Sequence, residues 1–477
     1  MTLADRDLKA AIAATRFGLG ARPGEIAEAR RDPHGFLHAQ IRREGAELPT
    51  GVATSSQRLS EFHEYRLERR DARLQKAATG SDGKPADPDA RDPVKVVGKM
   101  LRQDVADDFG ARLQLAVTTE AGFRERWADF WANHFTVSAT KAITGTLIGP
   151  FEAEAIRPNI FGRFADLLGA VETHPAMLTY LDQVQSMGPN SRVANYVRAP
   201  RSAGPAGLQP VANRAVGLNE NLAREILELH TVGLNGGYTQ ADVTEFARAM
   251  TGLSIAGARG AVFRDQAHEP GERTVMGVRY LPGGKEQAGA ILADLAAKPA
   301  TATFVCSKIA RHFVADEPSP ALVARLERAW ASSDGDLSRV AEALIAAPEA
   351  WAPTPAKFKT PYEFIVSSYR AAGAQMETFG RVAPILTALG QKPFSAPSPK
   401  GWPEDAQSWA APDAIVKRMQ FAQAFSAAAV RDRDPKALAA DALGARLTPD
   451  TAKAVARAES RAEGLALLLM SPEFQRR

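Results

Sequence analysis

Cys306 is the only cysteine in 477 residues. A single thiol excludes an internal disulfide and any multi-cysteine metal site, and it fits a reducing compartment. Long apolar runs are missing as well. The nearest is Leu465 to Met470, far short of the ~20 residues that a membrane span needs. Charge of one sign is also scarce. Lys and Arg number 59 against 55 Asp and Glu, a net of +4 with no concentrated basic stripe, so nucleic acid is not an expected partner. The first residues, MTLADRDLKAAIAATRFGLGARPGE, break every apolar stretch with charge, which argues against a cleaved leader and makes the cytoplasm the expected compartment. Nucleophile elbows of the G-x-S-x-G type, phosphate-cradling loops and the H-E-x-x-H metalloprotease motif do not occur.

What is present is an ordinary globular composition, 45% hydrophobic and 24% charged, with chain enough for two or three helical subdomains. Helix-spaced apolar residues recur from Leu8 to Phe17, Glu61 to Ala77, Val94 to Thr118 and Gly122 to Phe135, and again through the carboxy-terminal half. Thr239 and Asp242 read as a capping box, Asp336 as an N-cap, and the Pro-Glu pairs at 348 and 472 as helix starts. Residues 255–281 lose that period, and alternation around Thr274 to Tyr280 predicts the one hairpin. The expected fold is all-α with a minor β-hairpin. Its expected segments are an amino-terminal helical part at 1–78, a mobile linker at 79–93, a central domain at 94–282 and a carboxy-terminal helical domain at 283–477. A second long loop, 185–217, carries Pro189, Pro200, Pro205 and Pro210 with Arg192, Arg198, Arg201 and Arg214; its length makes it a candidate binding loop, although a solvated excursion is the more ordinary reading.

Two segments carry the chemistry. In FWANHFTVS (130–138) and LNENLAREILELHTVGLNGGY (218–238), one histidine sits within the apolar face of a helix. At ~100° per residue, Phe123, Trp127, Phe130, Trp131 and His134 share one stripe, with Asp129 and Asn133 outside it. Leu222, Ala223, Ile226, Leu227, Leu229 and His230 share another, with Glu220, Asn221, Arg224, Glu225 and Glu228 opposite. Both imidazoles are therefore expected in the interior. A titratable ring there needs a hydrogen-bond partner or serves as ligand or proton carrier.

Taken in order, FWANHFTVS, HPAMLTYLD (174–182), LNENLAREILELHTVGLNGGYTQADVTEFARAMTG (218–252), HEPGERTVMG (268–277), PATATFVCSKIARHFV (299–314), KGWPEDAQSW (400–409) and the final SPEFQRR resemble the bacterial family called domain of unknown function 1800. The resemblance covers nearly the whole chain. It implies a helical bacterial protein with no established reaction. Relatives often carry a twin-arginine export leader and stand beside a partner family, domain of unknown function 1501, whereas this chain starts directly at its first helix. Positions His134, His174, His230 and His268, and Glu220, Asn221, Arg224, Glu225 and Glu228, match recurrent family positions.

Spacing limits what these groups can form. On an ideal helix Glu228 and His230 lie ~200° apart, and Glu225 and His230 ~140° apart, so they cannot converge on one ion. A metal would need His230 together with His134, His174 or His268, and a bound metal is admitted but not favoured. Heme ligation by His230 or His134 is weaker still. Arg224 stands four residues from both Glu220 and Glu228, the spacing of a surface ion ladder. His174, before Pro175, suits a helix cap. His268 and Arg273 lie in the irregular segment, where His268 is a candidate base oriented by a carboxylate. The leading expectation is a polar site in which His230 and His134 act with Glu225, Glu228 and Arg224 in a hydrolytic or metal-assisted reaction, flanked by Asn221, Glu220, His174, His268 and Arg273 as binding groups. The alternative is a non-catalytic partner-binding scaffold with structurally satisfied histidines.

Overall fold

The structure is a computed structural model that describes residues 3–42, 44, 52–78, 93–198, 217–430 and 432–477. The expected linker at 79–93 lies outside them but for Pro93, as does most of the 185–217 loop, including Pro200, Pro205, Pro210, Arg201 and Arg214. Among the described residues the architecture is all-α with two small antiparallel sheets. One hairpin pairs Arg273–Val275 with Val278–Tyr280, as the alternation predicts. Its two-residue turn puts Met276 at φ 47° and Gly277 at φ 81°, the left-handed pair that a tight hairpin requires, and Asp242 Oδ1 accepts the Met276 N–H at 2.6 Å. The other sheet, Leu253–Ile255 with Ala261–Phe263, is an addition to the single expected hairpin. Gly260 at φ 68° lets its chain reverse.

Local chemistry sets the helix ends. Thr239 and Asp242 form the capping box of helix Gln240–Met250, Asp336 caps Leu337–Ala346, and Pro348 and Pro472 open short helical turns. Three helices depart from the α period: Ala13–Phe17, Glu152–Ile156 and Ile226–His230 are π-turns. Each inserts an extra residue per turn and so rotates the side chains that follow out of the predicted register.

Helix Gly122–His134 crosses the middle of the core. Phe123, Trp127, Phe130 and Trp131 on it are at most 1% exposed, and Trp127 packs within about 6 Å of Phe123, Phe161 and Phe313. Trp127 Nε1 donates to Ile160 O at 2.7 Å, which satisfies its one polar atom. Around this centre run buried guanidinium groups that tie remote parts of the chain together. Arg370 donates to Gly20 O, Ala116 O and Thr119 O at 2.6 to 3.0 Å and holds both Glu25 oxygens. Arg157 grips Glu125 with both terminal nitrogens. Arg16 reaches Ala350 O and Thr354 O, and a backbone β-bridge joins Phe358 to Arg476. Among the described residues no single helix is long and apolar enough to cross a membrane.

Removing one side of a buried, fully bonded ion pair strands the other side without water. Arg370→Leu removes the buried guanidinium that Glu25 and four carbonyls share, leaving Glu25 only its contacts to Arg22, and the expected loss is about 3–5 kcal/mol in urea unfolding. A loss below about 1 kcal/mol, the surface-pair range, contradicts that role.

Candidate functional site

The aromatic stripe of helix Gly122–His134 ends by turning His134 inward, 1% exposed, against Phe130, Trp131 and Phe135. Helix Asn221–Glu225 runs into the π-turn Ile226–His230, which delivers His230 at 0% exposure. The two imidazole centroids lie 6.1 Å apart. His134 Nε2 is 3.2 Å from the His230 carbonyl, so it carries the hydrogen and donates. Its Nδ1 must then accept, and it takes a hydrogen from Lys308 Nζ at 2.9 Å. Burial, followed by the neighbouring Lys308 charge and His230, holds the His134 pKa well below that of an ordinary histidine.

The carboxylate that orients His230 is Glu172, whose Oε1 lies 2.8 Å from His230 Nδ1 with both side chains fully buried. Glu225 and Glu228 do not take this role. They stay on the half-buried outer side of their helix, Glu225 near Tyr180 and Glu228 with its Oε2 3.5 Å from Tyr238 Oη. Burial raises the Glu225 carboxyl pKa. Glu172 ends the apolar helix Phe164–Glu172, and nothing in its local sequence marks it as the partner of a residue 58 positions later.

The remaining expected residues form separate clusters. His174 caps helix Pro175–Tyr180, accepting the Ala176 N–H at Nδ1 and meeting Glu154 Oε2 at 3.1 Å through Nε2. His268 Nδ1 lies 2.9 Å from Thr251 O, while Glu269 accepts from the Asn190 N–H and side-chain amide, and Arg273 donates to Glu269 O and Pro270 O. These contacts fasten the chain at 188–190 to the irregular segment. Glu220 accepts from Thr244 Oγ1 at 2.7 Å, Gln240 Nε2 at 2.8 Å and Arg224 at 3.2 Å. The Thr244 bond leads in lowering its pKa. Asn221 is exposed beside it. Among the described residues no three His, Cys, Asp or Glu side chains converge as a metal-ligand set.

The polar face of helix Gly122–His134 is where the structure opens. Asp129, Ala132 and Asn133 line a cavity of about 110 Å³, with one apolar wall of Phe109, Ile148, Phe151, Leu386 and Phe394. The charged wall is built in three linked groups. Arg112 donates to Asp129 Oδ1 at 2.8 Å and Glu152 Oε1 at 2.7 Å and lies over the Tyr362 ring. Arg126 and Arg477 both engage Glu363 Oε1. His312 Nδ1 lies 2.6 Å from Glu404 Oε1. Burial raises the Asp129 carboxyl pKa despite Arg112, aided by Glu125. Burial opposes ionisation of Glu404 and Glu363 as well, yet His312 holds Glu404 at about 2, and Arg477 with Arg126 pulls Glu363 far below the usual carboxylate range. Burial lowers the His312 pKa even against Glu404, with Arg477 and Arg126 adding to the fall. Among the described residues, His312 Nε2 is buried without a hydrogen-bond partner.

The strap at 391–404 forms one side of the cavity. Asn133 fixes it in both directions, accepting the Trp402 N–H at 2.7 Å and donating to Trp402 O at 3.0 Å. Gly401 at φ 86° presses against the Asn133 carbonyl, where any Cβ would collide. The sequence places Asp129 and Asn133 together off the aromatic stripe, but His312, Glu404, Arg112, Tyr362, Glu363, Arg477 and Lys308 escape a reading centred on the two histidine motifs. The available sign is that segments 299–314, 400–409 and 471–477 carry the family resemblance without any role for their charged residues.

A family model described as Protein of unknown function (DUF1800) matches residues 12–476. No curated protein matches the chain, and no solved structure does.

The two depressed histidines give a signed pH dependence. Both are neutral when folded and titrate near ~6.5 when unfolded, so their stabilisation is complete above that pH and is lost as pH falls below it. Each contributes a slope of up to about 1.4 kcal/mol per pH unit. His134→Gln is expected to remove about one proton's share of the slope in urea unfolding between about pH 5 and 6.5. An unchanged slope contradicts a neutral buried His134.

Proposed function

The chain belongs to the DUF1800 family, whose description assigns no reaction, and from the geometry we propose that it is a hydrolytic enzyme acting in the cavity beside helix Gly122–His134. The observation that carries this reading is the short His312–Glu404 pair in the cavity wall, with His312 Nε2 left without a partner among the described residues. Glu404, ionised over the whole ordinary pH range, accepts the Nδ1 hydrogen. That fixes the tautomer with the lone pair on Nε2, the arrangement of a general base oriented by a carboxylate. The depressed His312 pKa keeps the ring neutral at pH 7. Asp129, whose carboxyl pKa is raised by burial, borders the same cavity and is held by Arg112. In this scheme Nε2 takes a proton from water as the hydroxide equivalent attacks an acyl carbon, and the resulting imidazolium returns that proton to the oxygen or nitrogen that departs as its bond to the acyl carbon breaks. A volume of about 110 Å³ with one apolar wall suits a small substrate that has an apolar end.

His230 and His134 are proposed as structural in this scheme, because both are sealed in the core and neither borders the cavity. The second reading is a non-catalytic scaffold for a protein of the domain of unknown function 1501 family. It draws support from His134, His174 and His268, each of which has a hydrogen-bond partner within the fold.

Hydrolysis of p-nitrophenyl acetate by the full chain tests the enzymatic reading. The expected rate rises through the depressed His312 pKa and is flat at pH 7. His312→Gln is expected to lower kcat/KM by about 10²–10⁴-fold. Turnover equal to buffer, or loss on Glu228→Gln with none on His312→Gln, rejects the cavity as the seat of reaction.

A further inference from the structure

Lys308 lies one helical turn before His312 on helix Pro299–Phe313, half-buried, and the reaction proposed above makes no use of it. Its Nζ is 2.9 Å from His134 Nδ1 and 5.5 Å from the Phe304 ring centre. Among the described residues no carboxylate forms an ion pair with it. The charges that face it are Glu404, which attracts from the strap, and Lys400 and Arg311, which repel from the strap and from its own helix. His134 cannot change its part in the hydrogen bond without cost. Its Nε2–H is committed to the His230 carbonyl, so Nδ1 only accepts. An ammonium brings three hydrogens to a place that supplies one neutral acceptor and a ring face. A neutral amine keeps the bond to His134 with one hydrogen and leaves its lone pair free. Desolvation and adjacent cations are the two devices that make lysine nucleophilic, and burial accordingly pushes the Lys308 amine down to about 8.

We propose that Lys308 is a nucleophilic amine site that captures small aldehydes as an imine at Nζ. The lone pair on Nζ attacks the carbonyl carbon, the C=O pair moves to oxygen, and one proton passes from the nitrogen to that oxygen to give a neutral carbinolamine. A further proton converts that hydroxyl to departing water. Amine, aldehyde and one proton thus become an iminium and water, with no oxidation or reduction. The iminium retains one N–H, which is what His134 Nδ1 requires, so the acceptor that holds the free amine also holds the product. Phe304 offers the aldehyde's carbon chain an apolar neighbour. This site is independent of the acid–base reading of the cavity.

The test is reductive trapping on the full chain with propanal and sodium cyanoborohydride, which delivers hydride to the iminium and leaves a stable propyl group, followed by peptide mass spectrometry. At about pH 7.5 Lys308 is expected to be propylated at least about tenfold faster than the exposed Lys285, Lys436 and Lys453. Its rate is expected to rise with a midpoint near 8, whereas free lysines titrate near ~10.4. Lys308→Arg is expected to remove the fast phase and leave the slow one. Labelling of Lys308 no faster than the exposed lysines, or with their midpoint, overturns the proposal. Its outcome is separate from that of ester hydrolysis, which depends on His312.

Discussion

Helix Gly122–His134 has to satisfy two environments at once. One face is a run of large rings that exclude water; the other is a row of polar groups that border a cavity. A straight α-helix can keep such faces apart only while its period holds, and thirteen residues give it fewer than four turns to do so. The division is sharpest at the carboxy-terminal end. Within two consecutive positions Asn133 turns to the strap and His134 to the core. Everything described about the site follows from that division, since the same helix sets the depth of the histidine pair and the floor of the cavity.

Charge burial is the second constraint. Burying an isolated ion costs several kcal/mol even after relaxation, and this chain buries many. It offsets the cost by pairing each group: Arg370 is surrounded by carbonyls and Glu25, Arg112 by two carboxylates, and Arg126 by Glu363 and Gly18 O. Such groups add little net stability over apolar packing, but they penalise every alternative arrangement that leaves one of them single. They therefore fix how the amino-terminal turn, the central helix and the carboxy-terminal segment meet.

The parts legible in the sequence were those governed by near neighbours. Periodicity identified the helices and the aromatic stripe, and three-residue spacing identified the Thr239–Asp242 box and the proline starts. The inward direction of His134 and His230 also followed from the period. Their partners did not. Glu172 approaches from 58 residues away, and Glu404 meets His312 across 92, separations at which no local pattern operates. The π-turns added a second source of error, because an ideal wheel drawn through Glu225 and His230 assumes a rotation that the extra residue changes. Long-range polar pairing, rather than propensity, decided which acids and bases share a cavity.

The grip of Asn133 on Trp402 has one more implication. A side-chain amide that both donates to and accepts from one residue's peptide groups imitates a neighbouring β-strand, and it reads position along the chain, not merely proximity. Surface connections usually tolerate insertion and deletion. Here a single residue, Pro403, separates the clamped Trp402 from Glu404, so that short stretch acts as a fixed ruler that sets how far Glu404 reaches towards His312.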